Sequence, residues 1–379
     1  MNKYFSTIFA VTVLLLASFP PAAPAEDRLD TIAKEIESIK AENKDLKERL
    51  KTLEVKDEED RYNDASKLVN ISGYADVEYD LTNLPGVNDH FRPRHMSLFF
   101  EKNIQREWNL FTETEYEDAP VIDGTSGAAK AEGKFVVEQM FIKHRSGPEF
   151  DISMGRFLTP AGIWLIYHYP PYIPTQDRPL HIRQIFPQYS DGLMIRGSFN
   201  LFSSMVDTHV YVSNGSGNSG SADGNSDKAY GLRLNAANTI ENGKVEVGGS
   251  AMHERDNNDI TKTALGAHLK LSYFNFGLQT EYATRQNDPP GAANYYDTGL
   301  YTQCTLDIKK WTVAARWDWY NNNSLIPRND QYVYTGALNY HFAHNVIGKA
   351  EYNWHEFNNP ATPNYYLAIF SIVVAIGDL

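Results

Sequence analysis

The sequence has one cysteine, no haem-attachment motif and no excess of positive charge. Cys304 alone excludes an intrachain disulfide, and there is no CxxCH or CxxC motif to hold a haem or a metal ion. The net charge of −13 argues against nucleic acid as a partner. A mean hydropathy of −0.46 excludes a bundle of membrane helices. We therefore expect no cofactor, no metal site and no nucleic-acid partner.

Only one apolar run is long enough to raise the question of a membrane helix. Residues 1–25 carry Lys3, then an apolar stretch from Phe5 to Phe19, and then Ala23-Pro24-Ala25. A positive start, an apolar centre and a small-residue cleavage site predict a secretory signal peptide over residues 1–25. The alternative is a retained membrane anchor, but the run is short and prolines follow it directly.

Residues 26–60 have no glycine, proline or aromatic residue, and their apolar positions follow a heptad repeat. This pattern predicts a coiled-coil oligomerisation helix, followed by a linker over residues 61–67. Isoleucine at both core positions of the middle heptad favours a trimer. The alternative is an amphipathic helix that lies on its own domain. The predicted oligomerisation residues are Leu29, Ile32, Ile36, Ile39, Asn43, Leu46, Leu50 and Leu53.

From about Leu68 the hydrophobic period changes to two, which is typical of β-strands. The chain has 23 tyrosines, and short polar turns alternate with long loops rich in Gly, Asn and Asp. These features predict an all-β transmembrane antiparallel β-barrel of about sixteen strands over residues 68–379, with its short turns in the periplasm. Fourteen or eighteen strands, or a soluble β-sandwich, are the alternatives.

The stretch GRFLTPAGIWLIYHYPPYIPTQDRPLHIRQIF, residues 155–186, is too irregular for a strand and too apolar for an exposed loop. We expect residues 157–190 to fold into the barrel and narrow it. The candidate constriction residues are Arg156, Tyr169, Asp177, Arg178, His181, Arg183, Asp191 and Arg196. The alternation predicts that the pore wall includes Glu113, Glu115, Arg233, Lys270, Arg316 and Lys349.

The motif GRFLTPAGIW, a following Pro/aromatic stretch, and DGLMIRG at residues 191–197 resemble the phosphate-selective porin O and P family. Related anion or dicarboxylate porins also carry an N-terminal coiled coil. The resemblance implies a sixteen-stranded trimeric porin whose third loop narrows the pore, with basic residues that favour anions. By position, Arg156 and Arg196 match the family's motif arginines at the base of this loop.

Together these patterns predict passive diffusion of small hydrophilic solutes, chiefly anions such as phosphate or carboxylates, across a Gram-negative outer membrane. The coiled coil would lie in the periplasm, and the barrel would contact lipid, lipopolysaccharide and two further copies of the chain. A channel for sugars or aromatic acids is one alternative, and a sheath around a partner such as a multihaem cytochrome is another. The histidines are scattered without a nucleophile partner, so we expect no catalytic residues and no enzyme activity.

Overall fold

A computed structural model describes residues 36–48, 68–119, 133–215 and 223–377, and the chain divides into two units, Met1–Ala65 and Ser66–Leu379. In the first unit, an α-helix spans residues 36–48, and every residue of it is exposed. Among the described residues, no helix has the length and apolar character needed to cross a membrane. The predicted signal peptide, the linker and the heptad positions Leu29, Ile32, Leu50 and Leu53 lie outside the described residues.

The described part of the second unit contains sixteen β-strands, which confirms the predicted number. They are β1 (Asn70–Thr82), β2 (His90–Asn103), β3 (Trp108–Glu117), β4 (Lys134–Arg145), β5 (Phe150–Leu158), β6 (Tyr189–Leu201), β7 (Ser204–Ser213), β8 (Ala229–Ile240), β9 (Gly243–Arg255), β10 (Thr261–Tyr273), β11 (Phe276–Asp288), β12 (Tyr295–Ile308), β13 (Trp311–Asn321), β14 (Asp330–Ala343), β15 (Val346–Phe357) and β16 (Tyr365–Ile376).

The sixteen strands form one closed antiparallel barrel in which each strand pairs with its neighbours in the sequence. The barrel closes where β1 pairs with β16, in a register that runs from Gly73 opposite Ile376 to Thr82 opposite Leu367. Closure leaves no unpaired sheet edge, as a membrane-spanning sheet requires. At one end, here called the turn end, the connections are two to four residues long. At the other, the loop end, they range from five to thirty residues.

Strand side chains alternate between an apolar outer face and a polar inner face. On β15, Tyr352 is half exposed on the outside, whereas its neighbours Lys349, Glu351 and Asn353 on the inner face are buried. Outward apolar and inward polar side chains suit a wall with lipid on one side and a polar lumen on the other. The second unit is therefore arranged inside-out relative to a soluble protein.

The buried apolar cluster lies within the barrel, between the strands and residues 159–188, which connect β5 to β6. The strand side chains that face the lumen are mostly polar, so this connection supplies apolar side chains to the cluster. In a soluble domain the inner face of the sheet would supply them. The cluster consists of Ala161, Trp164, Leu165, Ile182, Ile185 and Phe186 from the connection, with Met252, Ala264, Ala283, Tyr301 and Tyr320 from the strands.

Candidate pore constriction

Residues 159–188, here called the constriction loop, begin against the β8–β11 wall. The carboxylate of Glu281 on β11 accepts hydrogen bonds from the backbone N–H groups of Ile163 and Trp164, both at 2.8 Å. From β8, Arg233 Nε donates to the carbonyl oxygen of Gly162 at 3.2 Å. Buried strand charges therefore hold the loop backbone, whose polar groups lack the partners that a sheet provides.

The middle of the constriction loop is bound to β13 and β15. Arg316 Nη1 donates to Thr175 Oγ1 at 2.6 Å and to the carbonyl oxygen of Asp177 at 2.7 Å. Lys349 Nζ donates to the carbonyl oxygens of Pro170 and Ile173, at 2.6 and 2.8 Å. The predicted wall residues Arg316 and Lys349 thus use their donors to fix the loop.

The same loop segment also reaches β1, the first strand of the barrel. Gln176 Nε2 donates to Asp76 Oδ2 and to Glu78 Oε1, both at 2.9 Å. The backbone N–H of Asp177 donates to Glu351 Oε1 at 3.1 Å. The contacts with β1, β8, β11, β13 and β15 show that the loop crosses the lumen.

Small residues on β10, β11 and β12 make room for the constriction loop. A Cβ at Gly299 would lie 2.3 Å from His181 Cβ, and one at Gly266 would lie 3.2 Å from the Phe186 ring. Ala264 on β10 is fully buried against the same loop. The sequence analysis missed this recess, although inward-facing Gly and Ala at alternate positions of neighbouring strands are a readable signal for it.

Acidic and basic side chains are paired along the β1–β4 wall. Arg92 Nη2 lies 3.0 Å from Glu78 and 2.9 Å from Asp80. Glu138 on β4 contacts two cationic or ionisable loop side chains, His168 at 3.1 Å and Arg183 at 3.6 Å. Loop and strand cations therefore offset much of the acidic charge that β1–β4 place on this wall.

The constriction loop carries two arginines, Arg178 and Arg183, whose guanidinium groups are partly buried and repel each other. Burial, with repulsion from Arg183 as a second cause, lowers the pKa of Arg178 to about 10. Burial also lowers the pKa of Arg183, against the attraction of Glu138. Arg183 has a positive φ of 68°, an uncommon conformation for a side chain of this size that the surrounding contacts must hold. Both guanidinium groups remain charged at neutral pH.

Arg156 and Asp191 were predicted in the constriction, and this prediction is wrong. They form a bidentate ion pair, with Nε–Oδ1 at 2.6 Å and Nη2–Oδ2 at 2.8 Å. By strand alternation they share the outer face with Met154, which is 70% exposed, and with Leu193. The motif spacing placed them at the base of the loop, but the period of two directs them away from the lumen.

Arg196 faces the lumen from β6 and is not part of the constriction loop. It lies seven residues beyond the start of β6, opposite Asp151 and His209, and contacts Asp207 at 3.1 Å. At about 3.3 Å per residue, that places it roughly 23 Å along β6 from the first residue of the strand. His209, which lies opposite it, lines a cavity together with Ile166 and Tyr169 of the loop. The second motif arginine therefore lines the turn-end half of the pore.

The remaining predicted residues lie in or beside the lumen. Tyr169 packs its ring against Tyr74 and Phe99, with centroids 6.0 and 5.3 Å apart. His181 stacks against Tyr301 at 5.8 Å, and burial together with the charge of Arg316 lowers its pKa to about 4. The inward carboxylates also have partners: Glu113 accepts from Gln139 Nε2 at 2.7 Å, and Glu115 accepts from Tyr74 Oη at 2.6 Å.

A cavity of about 290 Å³ opens on the turn-end side of the constriction loop. Ile173 and Pro174 of the loop form one side of this cavity. Its strand residues carry amide, hydroxyl and ammonium groups, so it suits hydrated polar solutes. They include Lys270, Gln279, Gln303, Asn339 and Lys349.

Comparison with known proteins links this architecture to porins. Residues 190–360 match the family model for Gram-negative porins. Among curated proteins, an uncharacterised protein of Aquifex aeolicus (strain VF5) is 28% identical over 151 residues, which cover 39% of this chain and 33% of that protein. The matched region therefore spans about a third of the Aquifex protein.

Solved outer-membrane proteins share the fold at low sequence identity. A loop L8 deletion mutant of Vibrio cholerae OmpT has a TM-score of 0.58 at 12% identity, over 81% of this chain and 99% of that one. The anion-selective porin of Comamonas acidovorans has a TM-score of 0.57 at 11% identity, over 82% and 99%. The outer-membrane channel DcaP of Acinetobacter baumannii has a TM-score of 0.54 at 8% identity, over 81% and 97%.

These likenesses show that the barrel fold is shared with outer-membrane proteins. The closed sixteen-stranded barrel, with its constriction loop across the lumen, has the fold of an outer-membrane porin.

Proposed function

We propose that this chain is an outer-membrane channel through which small hydrophilic solutes diffuse, with a preference for anions such as phosphate or carboxylates. The observation that carries the proposal is the pair Arg178 and Arg183 on the constriction loop. Two like charges in a narrow, poorly screened space attract an anion between them and repel cations. Arg92 pairs with the wall acids Glu78 and Asp80, which reduces their opposition to this field.

The direct test is the reversal potential of the purified protein in a planar bilayer under a salt gradient. We expect the reversal potential to have the sign of a channel that prefers chloride over the cation. We also expect phosphate, or a dicarboxylate such as succinate, to reduce the single-channel conductance. A reversal potential set by the cation would contradict the proposed preference. Membership of the phosphate-selective O and P group would further require phosphate to compete better than succinate.

The sugar or aromatic-acid alternative receives less support. A channel for sugars or aromatic acids needs exposed aromatic rings on which the solute can stack as it passes. Trp164 and Phe186 of the constriction loop are instead buried against the barrel wall. Tyr167 and Tyr172 are exposed, and these two side chains are what remains to favour that alternative. A sheath around a protein partner is also disfavoured, because the loop crosses the lumen that such a partner would occupy.

We also propose that the chain assembles as a homotrimer through a coiled coil over residues 26–60, which lies in the periplasm after removal of a signal peptide over residues 1–25. Support for the coiled coil comes from the helix over residues 36–48, where Ile36, Ile39 and Leu46 are about half exposed. Apolar side chains in a heptad stripe gain most by packing against other copies of the helix. A trimer form of Vibrio cholerae OmpT is among the structures that share the barrel fold.

A further inference from the structure

Three inward-facing side chains on β2 and β3 form a cluster that the channel function does not require. His95 on β2 lies directly opposite Glu117 on β3, and Glu115 lies one inward position further along β3. One ligand atom from each residue lies within 4.8 Å of the other two. Glu115 and Glu117 are 3% and 8% exposed, so the two carboxylates are held close together in a confined part of the wall.

The imidazole of His95 is oriented from its other side by Asp76 on β1. Its Nδ1 lies 3.0 Å from Asp76 Oδ1, and the same oxygen accepts the backbone N–H of His95 at 2.9 Å. Gln176 of the constriction loop donates to the second oxygen of Asp76 at 2.9 Å. A carboxylate that holds one ring nitrogen fixes the tautomer and directs the other nitrogen toward a metal ion.

We propose that His95 Nε2 and the carboxylates of Glu115 and Glu117 bind a divalent transition-metal ion, with Zn²⁺ as the test case. One imidazole and two carboxylates are a common ligand set for such ions, and water would complete the coordination. The two carboxylates offset the charge of the ion. The imidazole disfavours Ca²⁺ and Mg²⁺, which prefer oxygen ligands.

Cationic side chains near the two carboxylates weaken the binding of a metal ion at this cluster. Lys134 Nζ lies 3.5 Å from Glu117, and the guanidinium groups of Arg94 and Arg183 act on the same carboxylates. Tyr74 Oη donates to Glu115 at 2.6 Å and leaves the other oxygen of that carboxylate for the ion. A bound ion would cancel two negative charges beside the constriction loop and so strengthen anion preference. That consequence rests on the proposed function, whereas the binding itself does not.

The test is calorimetric titration of tag-free, detergent-solubilised protein with Zn²⁺. We expect saturable binding of one ion per chain, with His95→Gln and Glu117→Gln each reducing the affinity at least about tenfold. Asp76→Asn keeps all three ligands and should reduce the affinity by about 10- to 100-fold through the lost orientation of His95. The matched control is His209→Gln, which removes another inward histidine, on β7, and should leave the affinity unchanged.

Heat-dependent gel mobility reports whether each variant forms the barrel. Cu²⁺ bound to the wild-type protein should show nitrogen coupling from one imidazole in its electron paramagnetic resonance spectrum, which tests the site even where a variant does not fold. Absence of saturable Zn²⁺ binding to the wild type overturns the proposal. So does equal affinity of the wild type, His95→Gln and Glu117→Gln, which would leave adventitious binding only.

Discussion

At the scale of single residues, strand alternation and loop placement separate four arginines that look equivalent in the sequence. Arg156 faces outward with Asp191, and Arg196 lies in the turn-end half of the lumen with Asp207. Only Arg178 and Arg183 come from the constriction loop, where charge acts over a short distance. Selectivity should therefore respond to these two side chains far more than to the others.

Replacing Arg178 and Arg183 together by alanine should lower the anion-to-cation permeability ratio. At an effective dielectric constant of about 20, a unit charge near the path of the ion contributes on the order of 1 kcal/mol, so each arginine should change the ratio about fivefold. The measurement is the reversal potential in a salt gradient. Arg156→Ala is the matched control, because it removes an arginine from the outer face of the barrel, and it should leave the ratio nearly unchanged. A double variant with wild-type selectivity would mean that the loop is a plug or brace and that strand charges set the field.

His181 should make seating of the constriction loop dependent on pH. Its pKa is lowered from 6.5 to about 4 by burial and by Arg316, so the seated loop favours the neutral ring. A released loop would bind a proton at about 6.5. Protonation therefore favours release, and the stability of the seated loop should fall as the pH drops from about 6.5 to about 4 and then level off.

Single-channel recordings between pH 7 and pH 4 measure this loss as more frequent conductance fluctuations. His181→Gln should weaken the dependence, while burial of His168 leaves a contribution in the same direction. His253→Gln changes an exposed histidine on β9 and should leave the wild-type profile intact. Identical pH profiles for the wild type and His181→Gln would contradict this role.

At the scale of elements, the constriction loop depends on strand carboxylates that replace its missing backbone partners. Glu281→Ala should release the N-terminal part of the loop, because the backbone N–H groups of Ile163 and Trp164 would lose a carboxyl acceptor at 2.8 Å. A buried donor left without an acceptor costs about 1–3 kcal/mol. We expect faster proteolysis within residues 159–188 and a larger, noisier conductance.

Glu246→Gln provides the control for this prediction, because Glu246 on β9 faces the lumen but pairs with Lys244 at 2.7 Å. It should leave both the proteolysis rate and the conductance unchanged. If Glu281→Ala has the same cleavage rate as the control, the apolar cluster around Trp164 and Phe186 holds the loop without help from Glu281.

Local sequence patterns predict the strands but not the side-chain contacts inside the barrel. Alternation along β13, with Trp311 and Val313 outside and Arg316 and Asp318 inside, is a local property, so sixteen strands and the inward fold of the loop were predictable. The partners of Glu281, or of His95 with Asp76 and Glu117, come from separate strands and depend on barrel register, which no local pattern encodes. Arg156 is a different case, because the motif placed it at the base of the loop, whereas local alternation on β5 directs it outward, and one position along a strand reverses the face.

At the scale of the whole molecule, the helix over residues 36–48 carries an apolar stripe whose side chains are about half exposed. Ile36 is 47% exposed, and Ile39 and Leu46 are each 53% exposed. Burying an isoleucine side chain contributes about 1.5–3 kcal/mol. Three copies of this helix packed together would recover that energy at several positions per chain, and a polar Asn43 at one core position would fix their register.

Replacing Ile36 and Ile39 by asparagine should therefore lower the temperature at which the proposed trimer dissociates, as measured by native gel electrophoresis after stepwise heating. The matched control is Glu37→Asn with Lys44→Asn, which imposes the same asparagines on the solvent-facing side of the same helix. The control should retain the wild-type dissociation temperature, because it leaves the stripe intact. Equal temperatures for the two double variants would show that barrel contacts alone hold the oligomer and that residues 26–60 serve another purpose.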